Sequence, residues 1–272
     1  MMALKKRFAA LASAAFLLLL VISCQKEISL EGSGLLPSVN DPRCINCTYL
    51  PFCDSSEFTY LVDGTDTLGG AVRLLGDTTI GGQRFSKVGG YAVFDGGLYY
   101  NCANAEYRGA FPLAQFGIDA DSLRALLQPA LDSLLPIPGS TPALAFPDPF
   151  YTTILKANAP AGSTWTDTVL TVNLPVGQPP AVFNVRLFAG VQYTYPEKDI
   201  TRSVLGRSYA NVQHVQGKLT IGTAAQIPVP LPLPAPTNTV DIYFAKDIGV
   251  VEIRIADAGV ESSRAELLRY RL

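Results

Sequence analysis

The chain has 272 residues but only one histidine, His214, one tryptophan, Trp165, and two methionines. A single histidine rules out a His-based metal cluster by count. It also leaves any Ser-His-Asp or Cys-His arrangement with one candidate base. No Gly-x-Ser-x-Gly, Walker, dinucleotide-binding or His-Glu-x-x-His pattern occurs. His214 lies in a strand-like stretch, 211–216, whose Gln213 and Gln216 offer neither a nucleophile nor an orienting carboxylate. It reads as a strand residue at the sheet surface or edge, so we expect no catalytic residue, no metal and no cofactor. A glycosidase needs only two carboxylates, which keeps an extracytoplasmic hydrolase as a third reading. Charge is sparse as well, with Asp, Glu, Lys and Arg at 16% of the chain. No Lys/Arg cluster follows Arg7, which excludes nucleic acid and anionic lipid surfaces as partners.

A membrane-spanning hydrophobic run is also missing. Lys5, Lys6 and Arg7 precede an uncharged run over 8–23, shorter than the ~20 apolar residues needed to cross a bilayer. That pattern reads as a signal peptide. The run ends Val21-Ile22-Ser23-Cys24, which resembles the lipobox of bacterial lipoproteins. The resemblance implies cleavage before Cys24, a diacylglycerol on its sulfur and an acylated new amino terminus. A thioether suits this because it resists hydrolysis where an ester does not. Two or three acyl chains anchor stably, whereas one is marginal. Gln25-Lys26-Glu27 follows at once and is similar to the surface-export signal of Bacteroidetes-type lipoproteins. The localisation implied is the outer membrane, lipid-anchored and surface-exposed, with a periplasm-facing domain as the alternative.

Removing 1–23 takes away three basic residues and no acidic one, leaving a mature chain of net charge about −5. Residues 24–43 comprise the lipidated cysteine and a flexible tether without periodicity, ~60 Å long if fully extended. Residues 44–272 form one β-rich domain. With Cys24 carrying lipid, Cys44, Cys47, Cys53 and Cys102 remain. An even set in an oxidising compartment points to two disulfides, in any of three pairings. Cys44-x-x-Cys47 also fits a redox motif or half of a Cys₄ zinc site, but no helix follows it as the redox motif requires.

Gly, Pro, Tyr and Phe are plentiful, which suits a sheet protein with many turns. Strands read at 58–62, 71–75 and 84–88, with turns at Asp63-Gly64, Gly76-Asp77 and Gly89-Gly90. A hairpin reads over 91–94 and 98–102 around Asp95-Gly96-Gly97. Val251, Ile253 and Ile255 alternate with Glu252 and Arg254 as a half-buried strand, and Asp257-Ala258-Gly259 turns it back into 265–272. Val240, Ile242 and Phe244 share one strand face, as do Phe183, Val185 and Leu187. Residues 82–88 and 206–212 share glycine, aromatic and valine at the same offsets, which marks two similar hairpin units. Trp165 reads as a core or rim anchor.

One helix is predicted, over 119–135. Leu123, Leu126, Leu127, Ala130, Leu131, Leu134 and Leu135 form its stripe, Asp119 or Asp121 its cap, Pro129 a kink and Pro136 its stop. With the irregular 136–149 loop it makes a helical and Pro-rich insertion at 116–150, whose leucines fit as a plug for the sheet. Pro228, Pro230, Pro232, Pro234 and Pro236 alternate as an extended edge segment or loop tip. Asp66, Asp77, Asp121, Asp132 and Asp167 each begin an Asp-Ser/Thr triplet matching the O-glycosylation sequon of Bacteroidetes-type exported proteins.

Together with the Tyr-Phe-Ala-Lys-x-x-Gly-Val stretch at 243–250, the chain resembles uncharacterised Bacteroidetes-type lipoproteins. The expected fold is all-β: a curved antiparallel sheet or half-open barrel with one short helical insertion. A curved sheet of this size is similar to the lipoprotein-carrier folds, which hold acyl chains in an apolar concavity. The leading functional expectation is a non-enzymatic, lipid-anchored surface binding or scaffold module with a protein or glycan partner at the cell surface. The alternative is a periplasmic carrier of lipid or another apolar ligand, and the two differ in whether the core is filled. The leucine stripe favours a filled core. Lipidation is directly testable. Metabolic labelling with a fatty-acid probe should mark the protein and Cys24→Ala should abolish the label, so equal labelling of the variant would refute the lipobox reading.

Overall fold

The computed structural model describes residues 45–54, 56–67, 71–90, 98–111, 143–145, 149–178, 181–225 and 237–272. Apart from helical Ile45 and Asn46, these residues form strands and turns. Strand β1 (Glu57–Val62) ends at Asp63 and Gly64, both at positive φ, and leads into the two-residue β2 (Asp66–Thr67). Strand β3 (Val72–Ile80) runs through Gly76-Asp77, which the sequence presents as a turn. Leu74 pairs with Val88 and Gly76 with Lys87, so Leu75 bulges out, and Gly76 (φ 123°) supplies the backbone for it. The turn falls instead at Gly81-Gly82 (φ 56° and 77°), a two-residue connection that needs both residues left-handed. Strand β4 (Gln83–Gly89) then returns.

The same device recurs. Asn104-Ala105 joins β5 (Leu98–Ala103) to β6 (Glu106–Phe111), with both residues at positive φ. β7 (Ala143–Ala145), β8 (Phe150–Lys156) and β9 (Thr164–Gln178) follow. Leu205-Gly206 joins β10 (Ala181–Val204) to β11 (Arg207–Ala225). After β12 (Thr239–Ala245), Ala258-Gly259 joins β13 (Gly249–Asp257) to β14 (Val260–Arg271). The echo between 82–88 and 206–212 is thereby explained, since each stretch starts on the second residue of such a turn. Inside β10 the register slips around 194–202, and Asp199 (φ 54°) bends the strand.

Every pairing among the described strands is antiparallel. The sheet order is β7-β9-β10-β11-β12-β13-β14-β1-β3-β4-β5-β6-β8, with β2 beside β1. Two meanders, β3 to β8 and β9 to β14, are joined by β1, which pairs with β3 on one side and the last strand β14 on the other. The sheet curls until β8 lies alongside β9, giving the expected all-β, nearly closed barrel. β5 pairs with β4 and β6, while the 91–97 half of the expected hairpin lies outside the described residues. So do the leucine-striped helix and the alternating prolines. Within the stretch read as an irregular loop, Ala143–Ala145 forms β7 on the edge of β9, where a main chain free of proline can add to the ladder.

One end of the barrel is closed by residues 47–53. Leu50, Phe52 and Cys53 are buried there. Phe52 stacks on Tyr100 with centroids 5.4 Å apart and meets Phe58 edge-on at 5.6 Å. Asp247 N donates to Thr48 O at 2.6 Å, so the turn after β12 holds this floor in place. Just past β4, Gly90 (φ 98°) passes so close to β3 that a Cβ would run into the carbonyl oxygen of Ala71. Gly82 (φ 77°) has open space around its missing Cβ. Gly82→Ala should therefore cost about 1–2 kcal/mol of left-handed strain. Gly90→Ala should cost clearly more, read from urea midpoints, and equal losses would contradict this packing.

Candidate functional site

The inward face of the barrel surrounds an apolar cavity of about 410 Å³. Strand alternation builds it. Val240, Ile242 and Phe244 of β12 face inward as the sequence indicates, beside Ile253 of β13 and Ala265 of β14. A bulge between Tyr243 and Phe244 places Val250 on this wall and leaves Val251 as the extra residue, fully buried in the core. Leu50 and Phe52 make the floor, and Leu219 and Asn238 are exposed at the opposite rim. The sequence favours a filled core, but the described residues enclose this space, and the leucine stripe expected to fill it lies outside them.

On one wall the barrel has a seam. β8 and β9 meet without a main-chain ladder, so Thr153 finds its partners in side chains. Its N–H donates to Asp167 Oδ2 at 2.5 Å and its carbonyl accepts from Trp165 Nε1 at 2.6 Å. Trp165 and Asp167 are two apart on β9 and share a face. Thr152 Oγ1 donates to Asp167 Oδ2 at 3.2 Å and lies 2.6 Å from the Tyr193 hydroxyl. Trp165 stacks on Tyr193 with centroids 5.4 Å apart. The expected anchor role of Trp165 holds, and Asp167, read as a sequon residue, turns out to bridge two strands.

Below the cavity sits a buried polar cluster. Gln213 is fully buried and fully engaged. It accepts from Tyr195 OH and donates to Tyr49 OH and Asp199 Oδ1, both at 2.7 Å. Tyr107 OH accepts from Tyr49 N at 3.1 Å. Burial pushes the Tyr49 and Tyr195 phenols above their ordinary value.

The outer face of the same strands is charged. His214 lies there, 9% exposed and stacked on Tyr243 with centroids 4.3 Å apart. Here the structure corrects the sequence reading, because His214 does have carboxylate partners. Nδ1 lies 3.2 Å from Glu197 Oε2 and Nε2 lies 2.7 Å from Asp241 Oδ1. They come from β10 and β12, 17 and 27 residues away, so neighbouring positions in the chain gave no sign of them. With both ring nitrogens facing carboxylates, neither addresses a nucleophile. Burial pushes Asp241 upward, but hydrogen bonds from His214 and Gln216 and the charges of His214 and Arg254 outweigh it and hold the carboxyl low. Arg202 covers the other side of Tyr243 at 4.1 Å. It also binds the buried Glu252 at 2.7 Å, as does Arg254 at 2.6 Å.

Of the cysteines, Cys47 is bonded to Cys102, with Cα atoms 5.8 Å apart. Cys53 is disulfide-bonded too. Cys24 and Cys44 lie outside the described residues. The Cys47–Cys102 bridge ties the barrel floor to β5 and closes a 55-residue separation, which in the chain-entropy picture stabilises by about 4 kcal/mol. No group of three His, Cys, Asp or Glu with metal-site geometry occurs among the described residues. Of the sequon positions, Asp77 pairs with Arg84 and Ser86 across β3 and β4, and Asp121 and Asp132 fall outside the described residues.

The fold and cavity define a small β-barrel with an apolar interior, a class rather than a particular protein. No protein-family model matches the chain, and no curated protein matches it. Among solved structures, a Parabacteroides distasonis protein assigned as a lipoprotein is similar at 10% identity and a TM-score of 0.39, over 82% of this chain and 98% of its own. A Bacteroides fragilis protein assigned as exported, with a YmcC-like fold, is similar at 9% identity and a TM-score of 0.36, again over 82% and 98%. The fold described above rests on the chain's own ladders.

Tyr193 gives the site a measurable signature. Burial pushes its phenol up to about 12, with a further push from Asp167, against a downward pull from the Thr152 hydrogen bond. An unfolded phenol releases its proton near 10, so between about 10 and 12 the folded state binds more protons and stability falls as pH rises. Urea unfolding across that range should show a shallower decline for Tyr193→Phe than for the unchanged protein. Identical slopes would mean that Tyr193 is not buried in this wall.

Proposed function

We propose that this chain is a lipid-anchored cell-envelope protein with a non-enzymatic binding role, and that it binds an apolar ligand inside the barrel. The observation that carries this reading is the apolar cavity of about 410 Å³, within the roughly 300–1,000 Å³ range of small-molecule pockets. It promotes the apolar-ligand alternative over the filled scaffold that the leucine stripe favours. The anchor rests on Val21-Ile22-Ser23-Cys24, with acyl chains on Cys24 as the membrane attachment. Gln25-Lys26-Glu27 supports an outer-membrane, surface-facing placement, where a protein or glycan partner is within reach. His214 supports the absence of catalysis, since both of its nitrogens face carboxylates. The test uses the full chain carrying Cys24→Ala, so that covalent lipid is not counted. Solvent extraction followed by mass spectrometry should recover a fatty acid or phospholipid at near-stoichiometric amount. A lipid-free protein that also binds no added lipid would return the scaffold reading to first place.

A further inference from the structure

We infer that the cavity accepts one uncharged hydrocarbon chain, tail first, and leaves any charged headgroup in water at the mouth; this rests on the binding role proposed above. None of the described residues lining the cavity carries a charge. A carboxylate or phosphate drawn inside would lose its hydration and meet no cation, which is heavily unfavourable. The hydroxyls of Tyr60, Thr152 and Tyr193 on the wall are already engaged. Tyr60 OH donates to Val250 O at 2.9 Å. Thr152 Oγ1 lies 3.2 Å from Asp167 Oδ2 and 2.6 Å from the Tyr193 hydroxyl, so these two hydroxyls are engaged with each other and with Asp167.

Direction follows from the two ends. The floor is Leu50, Phe52 and Phe244, all buried, and it suits a methyl terminus. The opposite rim has exposed Leu219 and Asn238, where a polar group keeps its water. Size sets the number of chains. At about 410 Å³ the cavity lies toward the lower end of the roughly 300–1,000 Å³ range of small-molecule pockets, which suits a single chain.

The experiment uses the full chain carrying Cys24→Ala, stripped of bound lipid, and follows Trp165 fluorescence. Trp165 is the only tryptophan and stacks on Tyr193 of the cavity wall. The probes are saturated fatty acids and the matching monoacylglycerols. Affinity should rise roughly threefold to fourfold per added methylene, then level off once the chain outgrows the cavity, with acid and glycerol ester agreeing within about threefold at each length. Val240→Trp, at a half-buried wall position near the rim, should lower the affinity for every chain beyond the plateau. If that variant does not fold, the length series on the otherwise unchanged chain decides. A difference of roughly a hundredfold between acid and ester in either direction would place the headgroup inside, and a series with no plateau would mean the cavity does not measure the chain. Either result overturns this inference while leaving the binding role standing. Failure of every chain to bind would overturn the proposed function itself.

Discussion

The barrel depends on how its sheet ends. A curled antiparallel sheet that stops short of a final ladder leaves edge N–H and C=O groups unpaired, which is unfavourable when buried and an aggregation hazard when exposed. Here β8 meets β9 and the gap is bridged from the side. Asp167 takes the N–H of Thr153, and Trp165 gives its indole N–H to the carbonyl of the same residue. A ladder would have joined the edges through the backbone, whereas here side chains hold them together. The Tyr193 and Thr152 hydroxyls then complete the network at the cavity wall.

The interior follows from that closure and from the floor. Residues 47–53 enter from one end and are held by a disulfide, a main-chain bond to the turn after β12, and aromatic contacts with β1 and β5. With one end filled, the described inward side chains surround an apolar space. Its lining gains little from holding water, because a water molecule needs polar partners to stay; the apolar ligand proposed above would supply the contacts that the wall lacks.

The same strands carry opposite chemistry on their outer face. Pleating sends alternate residues outward, so Tyr243 lies opposite the cavity-facing Ile242 and Phe244. It is sandwiched by His214 and Arg202. Glu252 is 1% exposed, yet it is paired with Arg202 and Arg254 at close range, which is what a buried carboxylate requires. This belt crosses β10 to β14 and replaces exposed apolar surface with a satisfied polar network. His214 is a structural member of this belt.

Much of the architecture is legible in the chain itself, because strands and tight turns are local. Alternation at Val240, Ile242 and Phe244, and glycines at 64 and 259, mark faces and turns through pleating and the left-handed backbone. The charge and hydropathy pattern read as a signal peptide is equally local. A misreading arises where turn chemistry serves a bulge, as at Gly76, since a glycine records a backbone angle and not whether the strand reverses. What only the tertiary structure decided is whatever depends on distant strands meeting. Asp167 gives no local sign that it will bridge to Thr153, and His214 none that Glu197 and Asp241 will flank it. Whether an apolar face is filled or hollow is likewise a property of closure. It depends on the seam and the floor, which the hydrophobic pattern of a single strand does not encode.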